Sequence, residues 1–332
     1  MKIIDMTSDF AELARVKKGC VLTVGNFDGV HLGHQEILAA ARQTAAKRKA
    51  ELIVMTFEPH PLAVLYPQKA LGILTPLALK KHLLTELGVD YLCIVKSTLE
   101  LLNLSPRQFV QQFVAEKIQP SVVVEGRSFN FGSDRAGSVY TLKKLASEMG
   151  FEVSVVEAKE VKLSTGQIVT VSSTVIRDLL ANGRVADAAI ALGRPYQLIG
   201  QVVPGRGKGK QLGFPTANMQ PSGQLIPKEG VYAGFVEIGD TVEQVYKTHK
   251  KLPAAFSIIR PEAPGCGHSL AIEAHLLMED VGQLHGKWMA MDFVRRIRGQ
   301  QKFETDADLS AQIAKDCQKA RKILATDSLE ES

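Results

Sequence analysis

His31 and His34 stand three residues apart in "VGNFDGVHLGH" (24–34), where a strand-like run ends and a helical pattern begins. Side chains at that spacing fall on one side of a first helical turn, and a helix N-terminus offers unpaired backbone N–H groups at the positive end of its dipole. Gly25, Gly29 and Gly33 let the backbone approach a ligand, and both imidazoles can then donate to one phosphate. The spacing alone fits a surface turn with two incidental histidines equally well. A metal site is disfavoured, because the usual acidic partners are missing nearby.

Two further segments carry related chemistry. "VSSTVIRDLL" (171–180) sets Ser172, Ser173 and Thr174 at another strand-to-helix junction, with Arg177 one turn onward; hydroxyls there cap a helix or meet phosphate oxygens. "VVVEGRSFNFGSDRAGS" (122–138) carries Phe129 and Phe131 in a glycine-bounded loop. Singly these read as a cap and as core filling. Together, each following a strand of one sheet, they suggest a site for a nucleotide and a flat aromatic partner.

A separate stretch, "GQVVPGRGKGKQLGFPTANM" (200–219), has Gly205, Gly207, Gly209 and Gly213 in a loop whose backbone can wrap phosphates. Thr216 and Asn218, two apart on an extended segment, point the same way and can share one Mg²⁺. No GK[ST] opens a helix here, so this is not a Walker A loop.

The elements that must hold these residues fall into two groups. From residue 20 to about 157, apolar runs such as "CVLTV", "ELIVMTF", "DYLCIV", "SVVVE" and "EVSVVE" alternate with amphipathic helical patterns. Thr75-Pro76 and Ser105-Pro106 each place a capping residue before a first-turn proline. This grammar predicts a parallel sheet with helices on both faces and a ligand crevice beyond the strands' carboxyl ends. Near residue 195 it gives way to "YQLIGQVVPG", "GVYAGFVEIG", "AAFSII" and "LAIEAHLLM", strand-like and joined by Gly/Pro loops, and then to the helical "ADLSAQIAKDCQKARKIL". That pattern predicts a small antiparallel barrel with a C-terminal helix. The expected division is 1–194, 195–325 and a frayed tail at 326–332.

Composition bounds the rest. The 332 residues are 45% hydrophobic and 23% charged, with a net charge of +5 but no Lys/Arg block of the kind that tracks nucleic acid. Cys20, Cys93, Cys266 and Cys317 form no CxxC pair, which points to reduced thiols in a cytoplasmic protein. No stretch reaches the roughly 18 apolar residues of a membrane span.

"TVGNFDGVHLGHQ", "TFEPHPLAVL", "FNFGSDRAG" and "SSTVIRDLLANGRVADAAIALGRPY" together resemble the FMN adenylyltransferase module of bacterial bifunctional riboflavin kinase/FAD synthetases. "GFPTAN" (213–218), "GVYAG", "LAIEAHLL" and "FVRRIRGQQKF" resemble the riboflavin kinase module of that family. The resemblance implies a Rossmann-like nucleotidyltransferase domain followed by a kinase β-barrel. It implies that His31, His34 and Arg177 act in FAD formation, with Gly25, Asn26, Phe27, Asp28, Gly33, Ser173 and Thr174 at ATP phosphates. Phe57, Pro59, His60, Pro61, Phe129, Asn130 and Phe131 would face flavin.

In the second half it implies Glu273 as the base for the ribityl hydroxyl, and Thr216 and Asn218 as Mg²⁺ ligands. Gly205, Gly207, Gly209, Lys210 and Gly213 would lie at ATP, and Arg298 at the flavin. ATP and flavins are the implied substrates, without nucleic acid or membrane partners, and homo-oligomerisation is left open. The chain departs from the family at Ser128, in the shortened 257–263 segment, at "QLHG" (283–286), and in lacking an acid shortly after Arg298. Three readings stand: both activities, an FAD synthetase with weak or lost kinase, or a non-catalytic flavin- or nucleotide-binding regulator. A cytidylyltransferase or class I aminoacyl-tRNA synthetase is disfavoured by the PTAN-bearing second half.

Overall fold

A computed structural model describes residues 1–6, 16–68, 72–205, 207–248, 250–259, 270–278 and 283–330. Cys266 and residues 260–263 of the altered segment lie outside them. The chain forms two compact units, Met1–Val161 with Ile168–Ser173, and Lys162–Gln167 with Thr174–Ser332.

The first unit is built on a six-stranded parallel sheet of β1 (Lys2–Asp5), β2 (Val21–Val24), β3 (Leu52–Glu58), β4 (Tyr91–Lys96), β5 (Val122–Gly126) and β8 (Glu152–Val156), in the order β1-β4-β3-β2-β5-β8. All four residues of β2 are buried, as expected of a strand covered on both faces. Helices α1 (Leu32–Arg48), α2 (Pro61–Leu65), α3 (Leu77–Glu86), α4 (Leu99–Leu102), α5 (Pro106–Phe109) and α6 (Val139–Met149) fill the crossovers, together with the short strands β6 (Asn130–Phe131) and β7 (Gly137–Ser138). After β8 come β9 (Glu160–Lys162) and β10 (Ile168–Thr170). The chain runs from β2 outward to β3 and β4, then returns to β5 on β2's other side. That reversal is the switch point where open α/β sheets bind ligands.

The proline-marked helix starts divide. Ser105 and Gln108 form the expected capping box on α5, which continues into a π-helix over Val110–Ile118. At α3 the N-cap is Pro76, with no side-chain cap, and the Thr75 hydroxyl instead accepts from Gly29 N at 2.8 Å. β1 escaped the periodicity reading because only Ile4 of its four residues is buried.

In the second unit α7 (Ser173–Ala181, shared at its first residue) and α8 (Val185–Leu192) precede a closed barrel of β11 (Tyr196–Val203), β12 (Ala217–Pro221), β13 (Gly230–Gly239), β14 (Leu252–Ile259), β15 (Ala271–Leu276) and β16 (Trp288–Arg298), in the order β11-β12-β15-β14-β13-β16. Helices α9 (Lys208–Gln211), α10 (Val242–Thr248) and α11 (Asp306–Glu330) complete it. By packing, the chain divides at Ser173/Thr174 rather than at the change of pattern near Arg194, because α8 buries Val185, Ala188 and Leu192 and lies against β11 and β16. The C-terminal helix carries through Glu330, into the segment expected to fray.

Tyr232, Phe256 and Phe293 lie fully buried in the barrel, with ring centroids 5.0–5.2 Å apart around Phe293. The outer side is sealed by Cys317, Ala320 and Leu324 of α11 against Val231, Ala233 and Val294. Gly234 sits where any Cβ would collide with the Asp292 carbonyl and the Phe256 ring. Gly234→Ala is therefore expected to destabilise the barrel by about 1–3 kcal/mol through overpacking, read as a lower urea midpoint.

Candidate active sites

The first site lies at the carboxyl end of β2. His31 is the N-cap of α1, and its Nδ1 accepts from His34 N at 3.3 Å. With Nδ1 as acceptor, the neutral ring carries its proton on Nε2, which makes that nitrogen a donor. The two imidazoles stack with centroids 3.7 Å apart and planes 15° from parallel. Gly33 leaves room for this stack: a Cβ there would sit 3.2 Å from the His31 ring, a tight contact that the ring would have to shift to relieve.

Phe27 and Val30 hold positive φ of 47° and 41°, a conformation that strains residues carrying a Cβ. Tertiary bonds fix it. Buried Asp28 accepts from the amides of Leu74 (2.9 Å) and Thr75 (3.0 Å). Gly29 N donates to Thr75, and Ser173 Oγ donates to the Asp28 carbonyl at 2.7 Å. The carboxylate expected to face ATP thus anchors the loop from beneath.

A residue missed in sequence reading adjoins this loop. Glu125, at the end of β5, is 2% exposed and accepts from Val24 N at 2.6 Å; burial drives its carboxyl well above the ordinary range. It resembles one more strand residue in sequence, so nothing flagged it.

The aromatic residues separate by burial. Phe131 is 7% exposed, in core contact with Phe109, whereas Phe57 and Phe129 are only partly buried against that core. Phe129 stacks on Phe131 at 5.3 Å. His60 caps α2 through Nδ1, which accepts from Leu62 N, with Pro61 at the first helical position. Asn130 and Pro59 are exposed. On α7, Thr174 is exposed and Arg177 half-buried one turn on, both in the second unit.

The second site surrounds a cleft of about 690 Å³, whose lining includes Val203, Gly205, Thr216, Asn218, Leu284 and His285. The barrel register pairs Asn218 with Glu273 and Glu273 with Ser257, setting all three side by side on adjoining strands. Gly205 and Gly209 lie so close to Asn218 and Thr216 that a Cβ at either would run into those side chains. Gly207 and Gly213 adopt left-handed φ of 74° and 86°, and Lys210 is exposed on α9. The hydroxyl of Thr216 and the amide oxygen of Asn218 are hard donors of the kind magnesium takes. Among the described residues no cluster of three His, Cys, Asp or Glu forms a further metal site.

Arg298, expected at the flavin, instead makes a two-pronged ion pair with buried Asp316 of α11, with Nη2 to Oδ2 at 2.7 Å and Nε to Oδ2 at 3.0 Å, and donates to the Gly299 carbonyl. The acid missing directly after Arg298 is supplied from 18 residues onward.

The chain thus carries two glycine-containing loops, one at the switch point of a parallel sheet and one beside the cleft of a closed barrel. Comparison with known proteins makes this specific: an FAD synthetase family profile matches residues 13–174 and a riboflavin kinase profile matches 192–324. The bifunctional riboflavin kinase/FMN adenylyltransferase of Escherichia coli (strain K12) is 36% identical over 302 residues, covering 90% of this chain and 91% of its own. That of Bacillus subtilis (strain 168) is 33% identical, covering 96% and 97%. The chain belongs to the bifunctional riboflavin kinase/FMN adenylyltransferase family.

A crystal structure described as a macrolide-efflux protein from Streptococcus pneumoniae is also similar, with TM-score 0.82 and 26% identity over 97% of this chain and 99% of that one. Among the described residues here, no helix is long and apolar enough to cross a membrane.

The Arg298 arrangement yields a direct test. Arg298→Ala strands the buried Asp316 carboxylate, and we expect a loss of about 3–5 kcal/mol in denaturant unfolding with no flavin present.

Proposed function

We propose that this chain makes FAD from riboflavin in two ATP-dependent steps, phosphorylating riboflavin in the barrel and adenylylating the resulting FMN in the α/β unit. The observation that carries the reading is the pairing of Glu273 with Asn218 beside the glycine loop, in a chain whose other unit caps a helix with His31 at the sheet's switch point.

In the barrel the nucleophile is the terminal ribityl hydroxyl. An alcohol must lose its proton as it attacks, and Glu273 is the base we assign to it. The Gly205–Gly213 loop holds the triphosphate over the cleft, with backbone amides as donors. The oxygens of Thr216 and Asn218 fit Mg²⁺, which when bound supplies charge neutralisation to the polyphosphate.

In the α/β unit the nucleophile is a phosphate oxygen of FMN, attacking the α-phosphorus of ATP as pyrophosphate leaves. A phosphate monoester with a second pKa of about 6 is already largely ionised near neutrality, so no base is needed. The N-terminal amides of α1 and the Nε2–H of His31 stabilise charge gathering on the transferring phosphoryl oxygens. His34 is assigned to the same polyphosphate, and Phe57 and Phe129, the less buried aromatics, to flavin. Catalysis here is alignment and charge stabilisation.

We assign small molecules as partners and the cytoplasm as location, in keeping with the free thiols of Cys20, Cys93 and Cys317. Domain roles divide near Arg194 in this reading, with α7 and α8 serving the first activity while packing in the second unit.

Chromatographic resolution of flavins after incubation with Mg²⁺-ATP and either riboflavin or FMN tests the proposal. His31→Ala is expected to lower FAD formation by about 100-fold or more while leaving FMN formation intact, and Glu273→Ala to do the reverse. FAD from FMN without FMN from riboflavin would confine the function to the α/β unit. No turnover of either flavin would make the chain a binding protein.

A further inference from the structure

The strained loop before α1 rests on a buried cation that the reaction itself does not require. Lys80, in the first turn of α3, is 4% exposed, and its Nζ lies 3.5 Å from Thr56 Oγ1. The Thr56 hydroxyl donates to the Asn26 carbonyl at 3.3 Å, so its lone pair is what the ammonium meets. Glu58 and Asp28 are the carboxylates that bear on Lys80 electrostatically. Asp28 is the same residue that accepts from Leu74 and Thr75. Three elements thus converge on one side chain: the 25–30 loop, the end of β3 and the start of α3.

Burial alone disfavours the ammonium and lowers its proton affinity, and the two carboxylates oppose that shift. A leucine or methionine would fill the space without desolvating a charge. What a lysine adds is a positive charge that bears electrostatically on Asp28, a carboxylate only 3% exposed.

We infer that Lys80 is a positioning residue for FMN adenylylation: through Thr56 and the charge of Asp28 it holds the Asn26–Val30 loop, left-handed at Phe27, Gly29 and Val30, in the shape that presents the phosphate cradle and His31. This rests on the adenylyltransferase reading of that loop. The Lys80 ammonium is buried against Thr56 rather than exposed. It acts on the loop, so its loss alters how ATP is held while the barrel's reaction, carried by other residues, stays as it was.

The test uses the full chain and compares Lys80→Met, Asp28→Asn and the double variant with His31→Ala as reference, measuring FAD formation against ATP concentration and riboflavin phosphorylation in parallel. Lys80→Met is expected to lower kcat/KM for ATP in FAD formation by about 10- to 100-fold, as a displaced loop does, with riboflavin phosphorylation unchanged. Asparagine still accepts from the 74 and 75 amides but carries no charge. The double variant is therefore expected to recover activity relative to Lys80→Met alone, an outcome that mere loss of packing does not produce.

Wild-type FAD formation in Lys80→Met, or a double variant worse than Lys80→Met, overturns the inference. If His31→Ala also leaves FAD formation intact, the adenylyltransferase reading of the loop is what fails. Should Lys80→Met lose riboflavin phosphorylation as well, Lys80→Gln replaces it, and the same ordering between single and double variants is required.

Discussion

A polyphosphate cradle needs backbone N–H groups with no protein partner, and a loop of such groups has no hydrogen-bonding reason to keep its shape. In the 25–30 loop the amides of Gly25, Gly29 and Val30 are bonded within the protein, to Met55, Thr75 and Phe27, and surrounding side chains hold the rest of its shape. Asp28 reaches down to two amides, Thr75 takes the Gly29 amide, Ser173 takes a carbonyl, and Thr56 takes another. The left-handed φ values at Phe27 and Val30, which cost of order 1–3 kcal/mol each, persist because these contacts over-determine the chain there. The sheet sets where this happens, because β2 is the strand from which the topology reverses.

The barrel answers the same constraint through register rather than strain. An antiparallel ladder fixes which side chains are neighbours, and a slip of one residue would turn Glu273 to the barrel interior. Ile272 and Ala274, on either side of it, are fully buried, so the interior packing enforces the register that keeps Glu273 beside Asn218 and Ser257. Gly205 and Gly209 are small for a related reason: a Cβ would meet the Asn218 amide at the first and the Phe214 carbonyl, with Thr216 close behind, at the second. The Arg298 and Asp316 pair then fastens α11 to the end of β16.

Alternating apolar runs and helices were legible as a parallel sheet because covered strands such as β2 and β3 are largely apolar, and the histidine spacing marked the strand-to-helix junction where His31 caps α1. What sequence hid was the direction of side chains. Asp28 and His31 occupy one motif, yet one anchors and the other caps, a difference set by contacts with Leu74 and Thr75 more than 40 residues away. Thr75 looked like a helix cap and turned out to be an acceptor for Gly29. Lys80 and Glu125 look like surface residues by type, and only tertiary burial distinguishes them. β1 was invisible because an edge strand buries one residue in four.

The two sites also treat their carboxylates differently, and nucleophile chemistry accounts for it. Around the first loop Asp28 and Glu125 are buried and accept from backbone amides. An anionic nucleophile approaching an anionic triphosphate requires that, since a carboxylate in its path would add repulsion without providing a needed proton acceptor. In the barrel the nucleophile is a neutral alcohol. In the proposed reading a carboxylate is then an asset, because the proton must go somewhere as the new bond forms, and Glu273 stands on the strand adjoining Asn218. On that proposed reading the same physical problem, crowding negative charge at a phosphoryl group, is met with histidine and helix dipole where the attacker is charged, and with an acid beside hard oxygen donors where it is not.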